Sequence, residues 1–354
     1  MTNGFLSPRF FLIIVILLFV VFYAVSLNNA DNFQSLKSVK TRTEGSKSME
    51  NVTPSIVELD VQTRASKLGT TKVLKFEPEP QFNFMANIQS NTSSFGICFL
   101  VRSVDFETLA AMIKVVDSTY KDNNVADVVF FHDDDYPLSA DILNLRLITL
   151  RKINFVSIHN VFNRIPMAMD PYKDDPNWSK RKKWSYHNMI RFWFYDVMYV
   201  MKSLGYSYFL RLDDDSKFTN SVDDLFILLK EKNAVYIANI IFADLAEVTK
   251  GLKELTLSHV KKHNIIPMNL ERFGNAFLDD TCLLYYNNFE VVSIDFFLTP
   301  PVLNFAKAVL EDGGIYRYRW GDHILRYVEL SLFAKKSEVL EMDRDYHIDY
   351  CHGC

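Results

Sequence analysis

Short apolar runs alternate with segments of helical spacing along the chain from residue 95 to residue 230. The run Phe95–Val101 is followed by Phe106–Tyr120, whose apolar residues recur every three or four positions. The same pattern continues through apolar runs at 126–131, 153–158 and 206–210 and through helical segments at 186–204 and 222–230. Strands that alternate with helices predict an α/β fold with a mostly parallel central sheet.

Three consecutive carboxylates, Asp213, Asp214 and Asp215, follow the apolar run Tyr206–Leu210. Open α/β sheets bind ligands at the carboxyl ends of their strands. Asp213 and Asp215 are two positions apart, so on an extended segment they point to the same side. Oxygen ligands of this kind suit a hard divalent cation, which would neutralise a departing diphosphate as a nucleotide-sugar glycosyltransferase requires. The alternative is a solvated acidic turn.

The N-terminal region contains an uncharged apolar run of eighteen residues, Phe10–Leu27. This is long enough to cross about 30 Å of hydrocarbon as a helix. A cleaved signal peptide would have a shorter apolar core and a small-residue cleavage site, whereas Phe22 and Tyr23 near the end are bulky. The basic residues after the run favour a lumenal N-terminus by the positive-inside rule. The lumenal features of the domain that follows nevertheless predict a cytoplasmic N-terminus.

Residues 28–81 are polar, without a sustained apolar period, and are predicted to form a stem. N-glycosylation triplets begin at Asn51, Asn91 and Asn177, which is consistent with a lumenal address. The chain has four cysteines, all after the apolar run. The pair in Cys351–Cys354 lacks a second CxxC for a zinc site, so a structural disulfide is the preferred interpretation.

The net charge of −4 is spread along the chain, with acidic and basic residues interspersed. A nucleic-acid surface requires a clustered basic face, so no nucleic-acid partner is expected. Residues 82–354 are sufficient for one large domain with a sizeable core.

Other candidate side chains have both functional and structural interpretations. Tyr186 and Arg191, near the start of the long helical segment, could contact a sugar and a diphosphate, or pack and pair with a carboxylate. Glu290 follows the strand-like run Thr281–Tyr286. It could serve as nucleophile, as base or as electrostatic partner of a positively charged transition state, or it could cap a helix.

Two further candidates lie towards the C-terminus. Asp322 follows a probable turn at Gly313-Gly314 and could bind acceptor hydroxyls or cap the helical segment His323–Leu332. His347 lies in a terminal segment rich in ligand-type groups. Neutral imidazole binds Mn²⁺-like ions, although a lone histidine is more often structural.

Taken in order, these segments resemble glycosyltransferase family 15, the fungal-type α-1,2-mannosyltransferases of the Golgi. The family pattern includes Ser-Tyr-Arg-His-Met-Cys-Arg-Phe, Tyr-Trp-Arg-Val-Glu-Pro-Asp-Val-Lys-Phe, Trp-Ser-Asn-Phe-Glu-Ile, Glu-Arg-Trp-Gly-Asp and a terminal Gly-Tyr-x-His. The matching segments here, in the same order, are Leu100–Ser103, Phe131–Asp135, Ser185–Phe192, Tyr208–Phe218, Tyr286–Val291, Tyr318–Asp322 and Asp345–His347, with His352 nearby. The resemblance covers residue 95 to the end.

The resemblance implies a GT-A-like nucleotide-binding domain that transfers mannose from GDP-mannose to a mannosylated glycan, with Mn²⁺ as cofactor and retention of anomeric configuration. Glu290 matches the family's proposed nucleophile. The implied metal ligands are Asp213, Asp215 and His347. The donor site is assigned to Arg102, Tyr186, Arg191 and Asp322.

The chain departs from the family at the metal-binding segment, where Glu-Pro-Asp is replaced by Asp213-Asp214-Asp215. This shortens one ligand arm by a methylene and identifies a divergent member. Two alternatives therefore stay open: a transferase of the same fold that uses a UDP-sugar, and a non-catalytic paralogue that binds glycans in the Golgi.

The whole chain is thus predicted to be a single-pass type II protein of the Golgi membrane with a lumenal catalytic domain. The predicted segments are a cytoplasmic tail at 1–9, a transmembrane anchor at 10–27, a stem at 28–81 and the glycosyltransferase domain at 82–354.

Overall fold

The computed structural model describes residues 94–102, 104–121, 126–133, 139–162, 184–277, 282–342 and 350–353. The predicted tail, anchor and stem lie outside these residues, as do the three N-glycosylation triplets. Within the described ranges, no helix has the length and hydrophobicity needed to cross a membrane.

The domain is built on a seven-stranded sheet with strand order β12-β8-β11-β5-β1-β3-β4. Every neighbouring pair is parallel except the two pairs that involve β11, which runs against β5 and β8. The predicted mostly parallel sheet is therefore confirmed, with one reversed strand. The strands of this sheet are β1 Phe95–Val101, β3 Asp127–His132, β4 Ile153–Ser157, β5 Tyr208–Leu212, β8 Tyr236–Ala238, β11 Phe289–Ser293 and β12 Val339–Glu341.

Six short strands form three two-stranded ribbons outside the central sheet: β2 with β7, β6 with β13, and β9 with β10. The last two ribbons are antiparallel and lie beside the cleft described below. Their bounds are β2 Tyr120–Lys121, β6 Ser216–Phe218, β7 Val222–Asp223, β9 Ile241–Asp244, β10 Cys282–Tyr285 and β13 Tyr350–His352.

Helices cover both faces of the sheet. The long helix predicted at 186–204 is present but contains a π-helical segment, Phe192–Asp196, between the α-helical segments Trp184–Arg191 and Val197–Ser203. The helices are α1 Phe106–Thr119, α2 Ser139–Ile148, α3 His159–Phe162, α4 Trp184–Arg191, α5 Val197–Ser203, α6 Leu225–Glu231, α7 Leu252–His263, α8 Leu270–Asn275, α9 Ile294–Phe297, α10 Pro300–Asp312, α11 Gly314–Tyr318 and α12 Asp322–Phe333. A 3₁₀ turn, Lys336–Glu338, precedes β12.

Alternation along the buried strands divides the core into two layers. In β1, Ile97 and Phe99 pack on the face covered by α1 and α6, whereas Cys98 lies on the opposite face with α5 and α12. Because successive strand residues point to opposite faces, a strand buried on both sides is apolar throughout. The strands of the central sheet that are covered on both faces therefore stand out in the sequence as short, continuous apolar runs.

The surroundings of Glu290 differ from the sequence expectation. Within the run 281–286, the residues Cys282–Tyr285 form β10, which pairs with β9 in a separate ribbon. Glu290 does not follow a buried strand but lies within one, in β11, directly opposite Arg211 of β5. A turn of three residues, Tyr286–Asn288, separates the two strands and carries the chain from the ribbon into the central sheet. The helix-capping role weighed for Glu290 is therefore wrong.

Candidate active site

A cleft of about 1210 Å³ opens at the carboxyl ends of β1, β3 and β5. Its wall includes Arg102 after β1, Asp133 after β3 and Asp213–Asp215 after β5, together with residues from α4 and α12 and from the β9–β10 ribbon. Parallel strands bring polar residues from distant parts of the chain to one edge of the sheet. The cleft is therefore where the sheet topology places a ligand site.

The three carboxylates that we call the acidic segment, Asp213–Asp215, occupy the turn between β5 and β6 and line the cleft. The turn is closed by the Ser216 N–H, which donates to the Asp213 carbonyl at 3.0 Å. Strand β13 pairs with β6 and places His352 Nδ1 3.0 Å from Asp215 Oδ1. The C-terminal strand thus holds the acidic segment against the cleft, and Cys351 in that strand is disulfide-bonded, as expected for a structural cysteine.

The acidic segment carries an excess of negative charge. Burial raises the pKa of Asp214, and the neighbouring Asp215 and Asp213 raise it further against the opposing effect of Arg102, whose Nε lies 3.6 Å away. The pKa of Tyr286, which also lines the cleft, is raised by burial and by Asp213 and Asp215. This repulsion between oxygen donors is the electrostatic environment that a bound cation relieves.

The donor chemistry fits a hard divalent cation, since such an ion is commonly held by one or two carboxylates together with substrate phosphates. In the parts of the chain that the structure describes, no three His, Cys, Asp or Glu side chains form a group that could hold a metal ion by themselves. His347, the third predicted ligand, lies outside the described residues. The predicted metal site therefore needs further ligands beside the carboxylates of the acidic segment, which could be phosphate oxygens or His347.

Arg211 links the acidic segment to the buried side of the cleft. It is buried, with its Nε 3.1 Å from Asp213 Oδ1 and its Nη1 2.6 Å from Asp322 Oδ2. Its guanidinium also lies over the Trp193 ring, with 4.3 Å between Cζ and the ring centroid. These carboxylates hold the pKa of Arg211 above its already high value despite burial. Arg211 therefore remains a cation that fixes the wall of the cleft.

Glu290 lies behind that wall and is 0% exposed. The Tyr236 hydroxyl donates to its Oε2 at 2.7 Å, and its two carboxylate oxygens lie 3.6 Å from Arg211 Nη1 and 3.7 Å from Arg326 Nε. Burial raises the pKa of Glu290, and the two guanidinium groups act in the opposite direction. The residue does not line the cleft itself but contacts it through Arg211.

The predicted donor residues fall into two groups. Arg102, Tyr186 and Asp322 line the cleft, but Arg191 does not, and its Nε lies 3.3 Å from the buried Asp196 Oδ2. Asp322 is the first residue of α12 rather than its cap, which is Gly321. Its carboxylate accepts hydrogen bonds from Arg211 and from Asn287 Nδ2 at 2.8 Å, and these partners keep its pKa below the usual value although burial acts to raise it.

Several cleft residues were not assigned a role from the sequence. Arg211 is recognisable only as the basic residue within an apolar strand just before the acidic segment, and His352 only as part of the His-rich terminus. Asp244, Arg319 and His323 also line the cleft, and Asp244 forms ion pairs with both of the other residues. Nothing in their local sequence indicates this contact, because 75 or more positions separate Asp244 from its two partners.

Comparison with known proteins supports the resemblance. The family model for glycolipid 2-alpha-mannosyltransferase matches residues 48–353. The protein named "Probable mannosyltransferase KTR4" of Saccharomyces cerevisiae is 26% identical over 69% of this chain, which spans 57% of that relative's length. "O-glycoside alpha-1,2-mannosyltransferase omh1" of Schizosaccharomyces pombe is 24% identical over 81% of this chain and 76% of its own length.

Solved structures agree with the fold. The mannosyltransferase Ktr4p of S. cerevisiae in complex with GDP has a TM-score of 0.65 at 23% identity, covering 79% of this chain and 77% of its own. The Mn/GDP form of core-mannan synthase A from Aspergillus fumigatus has a TM-score of 0.65 at 19% identity, covering 80% and 83%. These likenesses show the GT-A-like α/β fold. Because the family model covers most of the sequence, the chain belongs to the glycolipid 2-alpha-mannosyltransferase family of glycosyltransferases, as its motifs predict.

Proposed function

We propose that this chain transfers mannose from GDP-mannose to a mannosylated glycan in α-1,2 linkage, with Mn²⁺ as cofactor and with retention of configuration. The observation that carries the proposal is the acidic segment, which lines a large cleft at the carboxyl ends of the parallel strands. Relatives named as mannosyltransferases, and neighbours solved with GDP and with Mn/GDP, support this choice of donor and metal.

Asp213 and Asp215, with His347, are the residues that we propose to hold the cation. A bound Mn²⁺ would neutralise the diphosphate of GDP as it leaves. Arg102 stands on the same side of the cleft, largely exposed and close to Asp214. Its planar guanidinium is suited to phosphate oxygens, and Tyr186 on α4 offers a half-buried ring to the donor.

For Glu290, burial behind the cleft favours the electrostatic role over direct attack on the anomeric carbon. Its carboxylate lies between Arg211 and Arg326 and balances part of their positive charge. With Asp213 and Asp322 it fixes the position of Arg211, whose guanidinium is at the cleft wall. Preorganised charge of this kind stabilises a transition state at no reorganisation cost.

The proposed location is the Golgi membrane, with the N-terminal residues 1–9 in the cytoplasm and the catalytic domain in the lumen. The support for it is the apolar run Phe10–Leu27, together with the N-glycosylation triplets that follow.

The test measures hydrolysis and transfer of GDP-mannose by the purified full chain, with and without Mn²⁺, beside a panel of UDP-sugars. We expect Mn²⁺-dependent turnover of GDP-mannose. Asp213→Asn and Asp215→Asn should lower it about 100-fold or more, because metal-assisted charge neutralisation supplies several kcal/mol. Glu290→Gln should also lower turnover, whereas Asp223→Asn, an exposed change in β7, should not.

Calorimetric titration of GDP gives a second readout that does not require turnover. Mn²⁺ should strengthen GDP binding to the wild-type chain and not to Asp215→Asn. If only a UDP-sugar were turned over, the proposed donor would be wrong, whereas the proposed metal site would stand. Absence of nucleotide binding under every condition would contradict the enzymatic proposal and favour a glycan-binding paralogue.

A further inference from the structure

An exposed apolar surface lies outside the cleft, where the chain passes from α7 to α8. We call it the apolar loop surface and define it by the side chains of Leu257, Ile266, Met268 and Leu270. Exposure alternates along the loop, so that Ile266, Met268 and Leu270 are 80%, 50% and 69% exposed, whereas Asn269 is buried. The usual order of apolar inside and polar outside is thus reversed. A cluster of exposed large apolar side chains marks a contact with a partner or with a membrane.

Hydrogen bonds hold this loop in one conformation. The Ile265 N–H donates to the Val260 carbonyl at 3.0 Å, which turns the chain back onto the end of α7. The Met268 N–H donates to the carbonyl of Leu332, in the last turn of α12, at 2.9 Å. Asn269 is the N-cap of α8, and its side-chain oxygen accepts a backbone N–H at 2.9 Å. A fixed backbone therefore presents the apolar side chains to the outside.

Lysines border the apolar loop surface. Lys261 and Lys262 lie in the last turn of α7, and Lys261 shares a helix face with Leu257, four positions earlier. Lys335 and Lys336, at the 3₁₀ turn before β12, pair with acidic residues at 3.2 and 2.7 Å. In the described part of the chain, neither Lys261 nor Lys262 makes an ion pair. The surface therefore carries an excess of positive charge, although the net charge of the whole chain is −4.

The apolar loop surface lies at the edge of the sheet opposite the cleft. α12 starts at the cleft with Asp322 and ends at Phe333 beside the loop, and the 3₁₀ turn that follows leads to Val339, the first residue of β12. Because β12, β8, β5 and β1 run in the same direction, Val339 lies at the same edge of the sheet as Phe95, the first residue of β1. The chain that precedes β1 therefore joins the domain at this edge.

A phospholipid surface has the chemistry that this combination requires. Its acyl boundary accepts apolar side chains, and its phosphates attract lysines. A second copy of the chain fits less well, because a two-fold contact places the same patch against itself and brings like charges together. The predicted anchor at 10–27 would keep the domain within reach of a bilayer, so a weak affinity would suffice at the high effective concentration of a tethered surface.

We propose that the apolar loop surface docks on a phospholipid bilayer, where Ile266, Met268 and Leu270 enter the interfacial region and Lys261 and Lys262 contact lipid phosphates. The cleft, at the other edge of the sheet, then opens away from the membrane. The inference concerns how the domain is oriented and does not depend on which donor or metal the transfer reaction uses.

The test introduces a tryptophan into the full chain, which is incorporated into vesicles of phosphatidylcholine and phosphatidylinositol. The acyl chains of the lipid are brominated in one preparation and unmodified in the other. Bromine quenches tryptophan fluorescence at contact, so the fluorescence that Met268→Trp adds to wild type should be lower in brominated vesicles. Leu245→Trp is the matched control, because Leu245 is 60% exposed but directly follows Asp244 at the cleft. Its added fluorescence should be the same in both preparations.

The lysines are tested by adding Lys261→Gln and Lys262→Gln to Met268→Trp. Each lysine near an anionic membrane surface strengthens binding about fivefold, so the docking equilibrium derived from the quenched fraction should fall about 10- to 30-fold. Lys253→Gln changes an exposed lysine at the opposite end of α7 and should leave the quenched fraction unchanged.

Two results would overturn the docking inference. One is equal quenching, or none, in Met268→Trp and Leu245→Trp. The other is fluorescence of Met268→Trp that changes with the protein-to-lipid ratio and not with bromination, which would assign the surface to a second copy of the chain. Absence of GDP-mannose turnover in the same vesicles would contradict the proposed function, whereas the quenching result would stand.

Discussion

Glu329 and Arg326 of α12 share a buried compartment with Glu290 behind the cleft. Arg326 Nη1 donates to Glu329 Oε2 at 2.8 Å, and both side chains are about 1% exposed. Burial raises the pKa of Glu329 to about 8, although Arg326 opposes the shift and Glu290 adds to it. Two carboxylates around one guanidinium therefore favour retention of a proton near neutral pH.

This proton makes the stability of the domain depend on pH. In the unfolded chain Glu329 ionises near its ordinary value of 4.5, whereas in the fold its pKa is about 8. Between these values the folded state binds more protons, so this residue's contribution to the free energy of unfolding is complete below about pH 4.5. It falls as pH rises towards 8, by at most about 1.4 kcal/mol per pH unit.

Glu329→Gln mimics the protonated acid and should remove the part of the pH dependence of stability that comes from Glu329. The free energy of unfolding, from urea titrations at pH 5 and pH 8, should therefore fall less with pH in the variant than in wild type. Glu311→Gln, an exposed change on α10, provides the control and should leave the wild-type slope. Parallel pH dependence in wild type and Glu329→Gln would show that Glu329 carries no such proton.

Among the elements, the junction between α10 and α11 depends on two glycines. Gly313 ends α10 with a φ of 80°, a conformation that glycine adopts without steric cost. Gly314 begins α11 directly against Trp320, which is fully buried and whose Nε1 donates to the Lys250 carbonyl at 2.9 Å. A Cβ at Gly314 would overlap the indole ring. The turn expected at this pair from sequence is in fact a close helix-to-helix junction.

Gly314→Ala should therefore destabilise the domain by about 1–3 kcal/mol, because the anchored ring of Trp320 has no space to move away. Gly274→Ala is the matched control for Gly314→Ala. Gly274 lies in α8, and no atom would lie within 4 Å of a Cβ added there. That variant should be neutral or more stable by up to about 1 kcal/mol. Thermal or urea unfolding measures both, and equal effects of the two substitutions would contradict the packing argument.

The long helix shows what its apolar spacing could not predict. Periodicity places a helix at 186–204, but the π-helical segment Phe192–Asp196 within it accepts hydrogen bonds from a residue far away in sequence. Arg326 Nη2 donates to the carbonyls of Trp193 and Phe194 at 2.8 and 3.2 Å. Because Arg326 belongs to α12, the sequence of residues 186–204 contains no signal for the π-helical segment. The segment also places Trp193 beneath the guanidinium of Arg211.

For the whole molecule, membrane anchorage stays a prediction from the apolar run Phe10–Leu27. We expect the full chain to remain with membranes after alkaline carbonate extraction and its domain to resist added protease until the vesicles are opened. Replacing residues 1–27 with a cleavable signal peptide should release the protein in soluble form. Recovery of the unmodified chain in the soluble fraction would contradict a retained anchor.

By itself, the sequence determined the type of sheet, four of its seven strands (β1, β3, β4 and β5), the long helix at 186–204, the helices α1, α6 and α12, and the place of the acidic segment at a strand end. These features follow from local burial, which periodicity records, and from the rule that parallel strands end together. Only the tertiary structure decided that Glu290 lies inside a reversed strand opposite Arg211 and that Asp244 meets Arg319 and His323. Such contacts depend on register and on packing between distant elements, and no single stretch of sequence carries that information.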